Sequence, residues 1–182
     1  MIVYFLCLEN NIYPTILTLS GMYIECDELL NEATLTKNEN LHLNMESLDL
    51  KKILEDYRIL HQFAVNKTQF DNYETITEAL QLFEIDFKKN DFINEFKQKT
   101  IELDIINCGK ITMFLYWHDF EAIFDENQKF SFKSYSSFNN SNFNLAGIME
   151  YNKYEVKKEN MNKIKSQASL KQDIFYIKIE NI

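Results

Sequence analysis

Glycine, proline and arginine are nearly missing from this sequence, and each shortage removes a class of function. The 182 residues include Gly 3 and Pro 1, and Arg58 is the only arginine. Collagen-like, linker-like and glycine-hinged repeat architectures all need more of the first two. Phosphate loops need several glycines close together so that backbone N–H groups can approach the anion, whereas Gly21, Gly109 and Gly147 stand far apart. Walker-type and dinucleotide-binding sites are therefore excluded. Bidentate clamps on phosphate are usually built from guanidinium groups, and a single arginine supplies one at most. The formal charge of -9 also opposes nucleic-acid binding, which needs a basic stripe to release counterions.

Cysteine and long apolar runs are scarce as well. Cys7, Cys26 and Cys108 are odd in number and widely spaced, so neither a disulfide framework nor a zinc knuckle is written here, and each reads as a reduced core thiol. The apolar start, Met1 to Leu8, stops at Glu9 without a basic n-region or a small-residue cleavage site, so no signal peptide is expected. The longest apolar runs, Ile2 to Leu8 and Ile111 to Trp117, have the length of strands rather than membrane spans. A soluble, cytoplasmic protein is the expectation.

What the chain does have is apolar material: 46% hydrophobic residues, with Phe 15 and Tyr 10, enough for a well-packed globule. At this length one core suffices, and residues 1–182 read as a single globular domain. Ile2 to Leu8 and Ile12 to Leu19, separated by a short polar turn, suggest an opening hairpin, with Pro14 placing the second run at an edge or bulge. From Ser47, the spacing of Leu50, Ile53, Leu54, Tyr57, Leu60 and Ala64 predicts a helix of about four turns. Thr75 and Glu78 have capping-box spacing ahead of a stripe of Ile76, Ala79, Leu80, Phe83 and Phe87. Asn90 or Asp91 would cap a third helix carrying Phe92, Ile93, Phe96, Thr100 and Ile101, stopped by Asn107 and Gly109.

After Gly109 the period changes to two. Ile111 to Trp117, apolar on both faces, reads as a central strand, and residues 120–135 as a hairpin turning at Asp125 to Gln128. Ile148 to Val156 reads as a strand, Lys158 to Leu170 as a basic helix and Asp173 to Ile179 as a last strand. The order of elements predicts an α+β domain: an antiparallel or mixed sheet with about three to four helices, mainly between residues 47 and 107.

Motifs that carry chemistry are absent. There is no GxSxG elbow, HExxH helix or EF-hand spacing, and His42, His61 and His118 never fall at metal-ligand separations, so no cofactor and no metal is expected. Glu95-Phe96-Lys97, Asp49-Leu50-Lys51 and Asp86-Phe87-Lys88 imitate the end of a nuclease motif, but all three sit in predicted helices, where such triplets arise by chance. The densest polar and aromatic cluster is Tyr116 to Glu121. His118 beside Asp119 and Glu121 has the residue types of a general base with its carboxylates, although neighbours on a strand point to opposite faces.

Charge is distributed unevenly. Residues 1–91 carry 16 acidic and 7 basic side chains, and residues 92–182 carry 12 of each. The acids Glu25, Asp27, Glu28, Glu32, Glu46, Asp49, Glu55 and Asp56 form a candidate surface for a basic protein, because such a field steers association. In composition the chain is similar to the small, acidic, glycine-poor immunity proteins that bacteria keep against antagonistic toxins, many of them basic nucleases. That resemblance carries no motif and transfers no residue. It implies a non-enzymatic inhibitor of the immunity or antitoxin type, cytoplasmic, without contact to nucleic acid or membrane. The rival is an enzyme whose site converges near His118, Asp119 and Glu121, and a third reading is an adaptor that self-associates through exposed aromatics.

Overall fold

A computed structural model of the chain describes residues 6–8, 11–27, 62–66, 73–89, 96–125, 127–135, 144–157, 162–171 and 174–181. Every element among them is a strand. β1 (Leu6–Leu8) and β2 (Asn11–Tyr13) pair as a hairpin. The bend at Pro14 then releases the chain into β3 (Ile16–Glu25), as a residue without a ladder donor favours.

β3 and β8 (Gly109–Ile123) form the spine of a seven-stranded antiparallel sheet, paired from Ile24 opposite Met113 to Ile16 opposite Glu121. The outer edge of β3 takes β5 (Glu74–Thr75) and β6 (Leu80–Asp86). The outer edge of β8 takes β10 (Asn144–Val156) against its first half and β9 (Lys129–Phe132) against its last residues, and β4 (Gln62–Asn66) completes the sheet beyond β10. A smaller sheet is built from β7 (Phe96–Asp104), β11 (Lys163–Lys171) and β12 (Ile174–Asn181), with β11 in the middle.

The small sheet alternates cleanly. Ile101, Leu103, Ile164, Ala168, Leu170, Phe175, Ile177 and Ile179 point inward and are buried. The outward face carries ion pairs such as Lys163 with Glu102 at 3.3 Å and Lys165 with Glu180 at 3.8 Å. Its inner face packs on the large sheet, where Phe175 lies 5.1 Å from the Tyr116 ring and 6.3 Å from Phe83. The opposite face of the large sheet is apolar too, with Met22, Ile24, Met113, Leu115 and Trp117 buried in a second cluster. Two apolar faces explain why Ile111 to Trp117 is an unbroken buried run.

Tyr23 joins the two sheets. Its hydroxyl meets Ser166 Oγ of β11 at 2.9 Å, and its ring stands edge-on to Phe114 at 4.8 Å. Its backbone N–H donates to Thr77 Oγ1 and its carbonyl accepts from Ile76 N–H. The same short segment reaches the small sheet, because Glu78 N–H donates to the Asp104 carbonyl and Ile106 N–H to that of Ile76. Gly21, two residues earlier on this face, has no side chain for a physical reason: a Cβ there would enter the Phe114 ring and lie 2.8 Å from the Leu115 carbonyl. Gly109, at φ +156°, opens β8 where a Cβ would strike the Glu25 carboxylate.

The α+β expectation is overturned. Residues 75 and 80–86, expected in the second helix, are strands, as are 96–104 of the third and 163–170 of the basic one. The Ser47 helix lies outside the described residues, except that its last residues, 62–64, belong to β4. In β6 the cause is a bulge: register shifts between Leu19 and Ser20, so Leu82 and Phe83 both reach the core. Leu80 and Leu82 before it, and Phe83, Ile85 and Phe87 after it, each alternate, but the extra residue leaves 80, 83 and 87 at helical spacing. Cys26 is buried as a core thiol, whereas Cys108 is exposed.

Tyr23→Phe and Ser166→Ala are each expected to cost about 1–2 kcal/mol, because either change leaves a buried hydroxyl or its site without its partner. The double variant should cost less than the two single losses added. Denaturant unfolding of all four proteins measures that coupling, and strict additivity would show that the Tyr23–Ser166 bond does not help to join the sheets.

Candidate functional site

The pleat of β8 sorts its last residues onto two faces. Phe114, Tyr116 and His118 point toward the small sheet, while Leu115, Trp117, Asp119 and Glu121 point to the other side. β8 is buried from Ile111 to Trp117 and partly exposed from His118 to Ile123, so it leaves the sandwich at its far end. There it turns into β9. The turn is closed by Phe124 N–H donating to the Gln128 carbonyl, and Asp125 Oδ1 accepts from the N–H groups of Asn127 and Gln128. This is the hairpin expected at residues 120–135, although its second strand ends at Phe132.

The hairpin is amphipathic. Phe120 stands opposite Phe132 and Ala122 opposite Phe130, which puts three phenylalanines on one face. On the other, Lys129 pairs with Glu121 at 2.7 Å and Lys133 with Asp119 at 3.7 Å. Phe130 is 61% exposed and Phe124, at the turn, 50%. Surface of that kind is uncommon away from binding sites when it is contiguous.

Beyond Phe132 the chain folds back over the outer face of the large sheet. Ser134 N–H donates to Asp119 Oδ1 at 2.8 Å, and Ser134 Oγ–H to the His118 carbonyl. Tyr135 is thereby laid on Trp117, with ring centroids 4.6 Å apart and planes at 28°. The Tyr73 hydroxyl lies 3.3 Å from that of Tyr135, and burial raises the Tyr73 phenol above its ordinary range. Cross-strand register sets Gln81, Ser20 and Trp117 in one row on this face. Together they border a shallow groove of about 300 Å³, with Asp119 and Lys133 on one side and Ala79 and Leu80 on the other.

The candidate residues fare differently. His118 and the carboxylates of Asp119 and Glu121 are not brought together, since the pleat sends the imidazole to one face and both acids to the other, where Lys129 pairs closely with Glu121 and Lys133 stands more loosely by Asp119. Burial pushes the His118 imidazole down to about 4. Of the eight acids, Glu25 accepts the Lys110 N–H at 2.9 Å, and Asp27 is exposed. Glu28, Glu32, Glu46, Asp49, Glu55 and Asp56 lie outside the described residues. Among the described residues no three His, Cys, Asp or Glu side chains group as a metal site requires, and no helix is long and apolar enough to cross a membrane. Sequence reasoning missed Lys133, Tyr135, Tyr73 and Gln81. The Ser134-Tyr135 step after an alternating run was the available signal.

Neither a protein-family model nor a curated protein matches the chain.

The His118 shift has a definite sign. The unfolded imidazole titrates near 6.5 and the folded one at about 4, so the stability held above pH 6.5 is lost as pH falls toward 4 and the unfolded chain alone takes up a proton. The loss amounts to at most about 3 kcal/mol. His118→Gln should flatten this part of the stability profile, measured as the wild-type-minus-variant difference in urea midpoint between pH 7 and pH 4.5. An unchanged difference would place the imidazole in water.

Proposed function

We propose that the protein works by contact: a protein-binding module whose partner is basic, in its specific form an inhibitor of the immunity or antitoxin type that neutralises a basic toxin in the cytoplasm. The observation that carries this reading is the β8–β9 hairpin, which offers Phe130 and Phe124 to solvent beside a face of ion pairs. Exposed aromatics that bury their area on association supply affinity at the centre of protein interfaces. The formal charge of -9 supplies the complementary half, since it favours encounter with a basic surface and raises the on-rate most at low salt.

The experiment is to crosslink the protein in its native cell, purify the partner it captures, and measure association with wild type and with Phe124→Ser/Phe130→Ser at two ionic strengths. Because both side chains are already exposed, the variant should keep the wild-type melting temperature. It should bind at least about tenfold more weakly, as loss of an aromatic anchor implies. The wild-type on-rate should fall several-fold as salt screens the charge. A captured partner that is acidic, or that binds the variant equally well, would refute the reading.

A further inference from the structure

We propose that the groove beside Trp117 is a receptor for a guanidinium group, so that an arginine side chain of the basic partner is the guest it takes. The proposal rests on the contact reading above only in assigning that guest to a protein.

The sign of the guest follows from which of the two facing charges is fixed. Asp119 is 13% exposed and its Oδ1 is held by the Ser134 N–H, so this carboxylate cannot leave the groove. Lys133 is 58% exposed, and its Nζ stands 3.7 Å from Asp119 Oδ2, too long for a good hydrogen bond. Oδ2 therefore keeps acceptor capacity, and the lysine can swing into water when a better cation arrives. An anion would meet the fixed carboxylate in a chain of net charge -9.

The shape of the guest follows from the rest of the lining. Tyr135, stacked on the buried Trp117, lies beside the carboxylate and offers its outer ring face, and Ala79 adds apolar surface for a methylene stem. A guanidinium is flat, weakly hydrated, stacks on aromatic rings and bonds a carboxylate through a fork of N–H groups, whereas an ammonium is compact and strongly hydrated. Gln81, beside Ser20 in the same row, adds a side-chain amide at the rim.

Trp117 is the only tryptophan in the chain, so its emission reports on this groove directly. The probes are agmatine for the guanidinium, cadaverine for an ammonium of similar length and glutarate for an anion. Agmatine should change Trp117 fluorescence saturably and bind more tightly than cadaverine, with glutarate silent. Asp119→Asn keeps an acceptor for the Ser134 N–H but removes the charge, and should weaken agmatine about tenfold or more. Lys133→Met removes the competing cation and should tighten it about threefold. No saturable response to agmatine, equal binding by Asp119→Asn, weaker binding by Lys133→Met, or a preference for glutarate would each overturn the proposal. Should Asp119→Asn fail to fold, the direction of the Lys133→Met change still decides. Silence toward agmatine alongside intact, Phe130-dependent partner binding would remove the groove and leave the contact reading standing.

Discussion

The hydrogen bond between the Tyr23 and Ser166 hydroxyls is where two sheets become one structure. Sheet packing by itself is non-directional, and apolar faces can slide or rotate over one another with little change in buried area. A buried hydroxyl pair cannot, because separation strands both groups in a medium that offers no water. Tyr23 reinforces the constraint through its backbone, which holds residues 76 and 77, and that segment holds Asp104 at the end of β7 and Ile106 just beyond it. The registers of both sheets are thus referred to a single residue, and the aromatic contacts of Phe175 with Phe83, Phe114 and Tyr116 are made in one relative position of the sheets.

Because the sheets are locked there, β8 can overrun them. Its first half is covered on both faces, and its second half leaves the cover with the pleat intact. Alternation then does at the surface what it does in the core: it separates side chains of different character. His118 faces the sandwich and loses its charge to burial, Asp119 and Glu121 face the other way beside lysines, and the phenylalanines of the hairpin share one side. The residue types of a general-base site are contiguous in sequence and divided in space.

The parts of the fold legible in the sequence are those where alternation is strong and uninterrupted: Ile111 to Trp117, the hairpin around Asp125, and the closing strand from Ile174. The failures share a cause. In β6 one bulged residue converts two alternating runs into an imitation of helical spacing. In β11 the inward positions between Ile164 and Leu170 are Ser166 and Ala168, too small and too polar to stand out against Lys163, Lys165 and Gln167, all good helix formers. The groove was hidden for another reason. Asp119 gains its role from Ser134, which arrives only after a strand, a turn and a second strand, and no local pattern shows that the chain will fold back there. The acidic segment from Glu25 to Asp56 rests on proximity along the chain alone, and from Glu28 onward it lies outside the described residues.

The spine of the large sheet also sets the order in which the molecule can assemble. The Cys26 N–H that donates to Thr112 Oγ1 crosses 86 residues of sequence, and β3 cannot gain its β8 neighbour until that much chain exists. The edge of β3 that faces β5 and β6 has its partners closer along the chain than the edge that faces β8. Closing so long a loop carries its entropic cost before any contact repays it, which makes such topologies slow to fold and exposes an unpaired apolar edge in the interval. The acidic excess of the first half makes copies of that half repel one another.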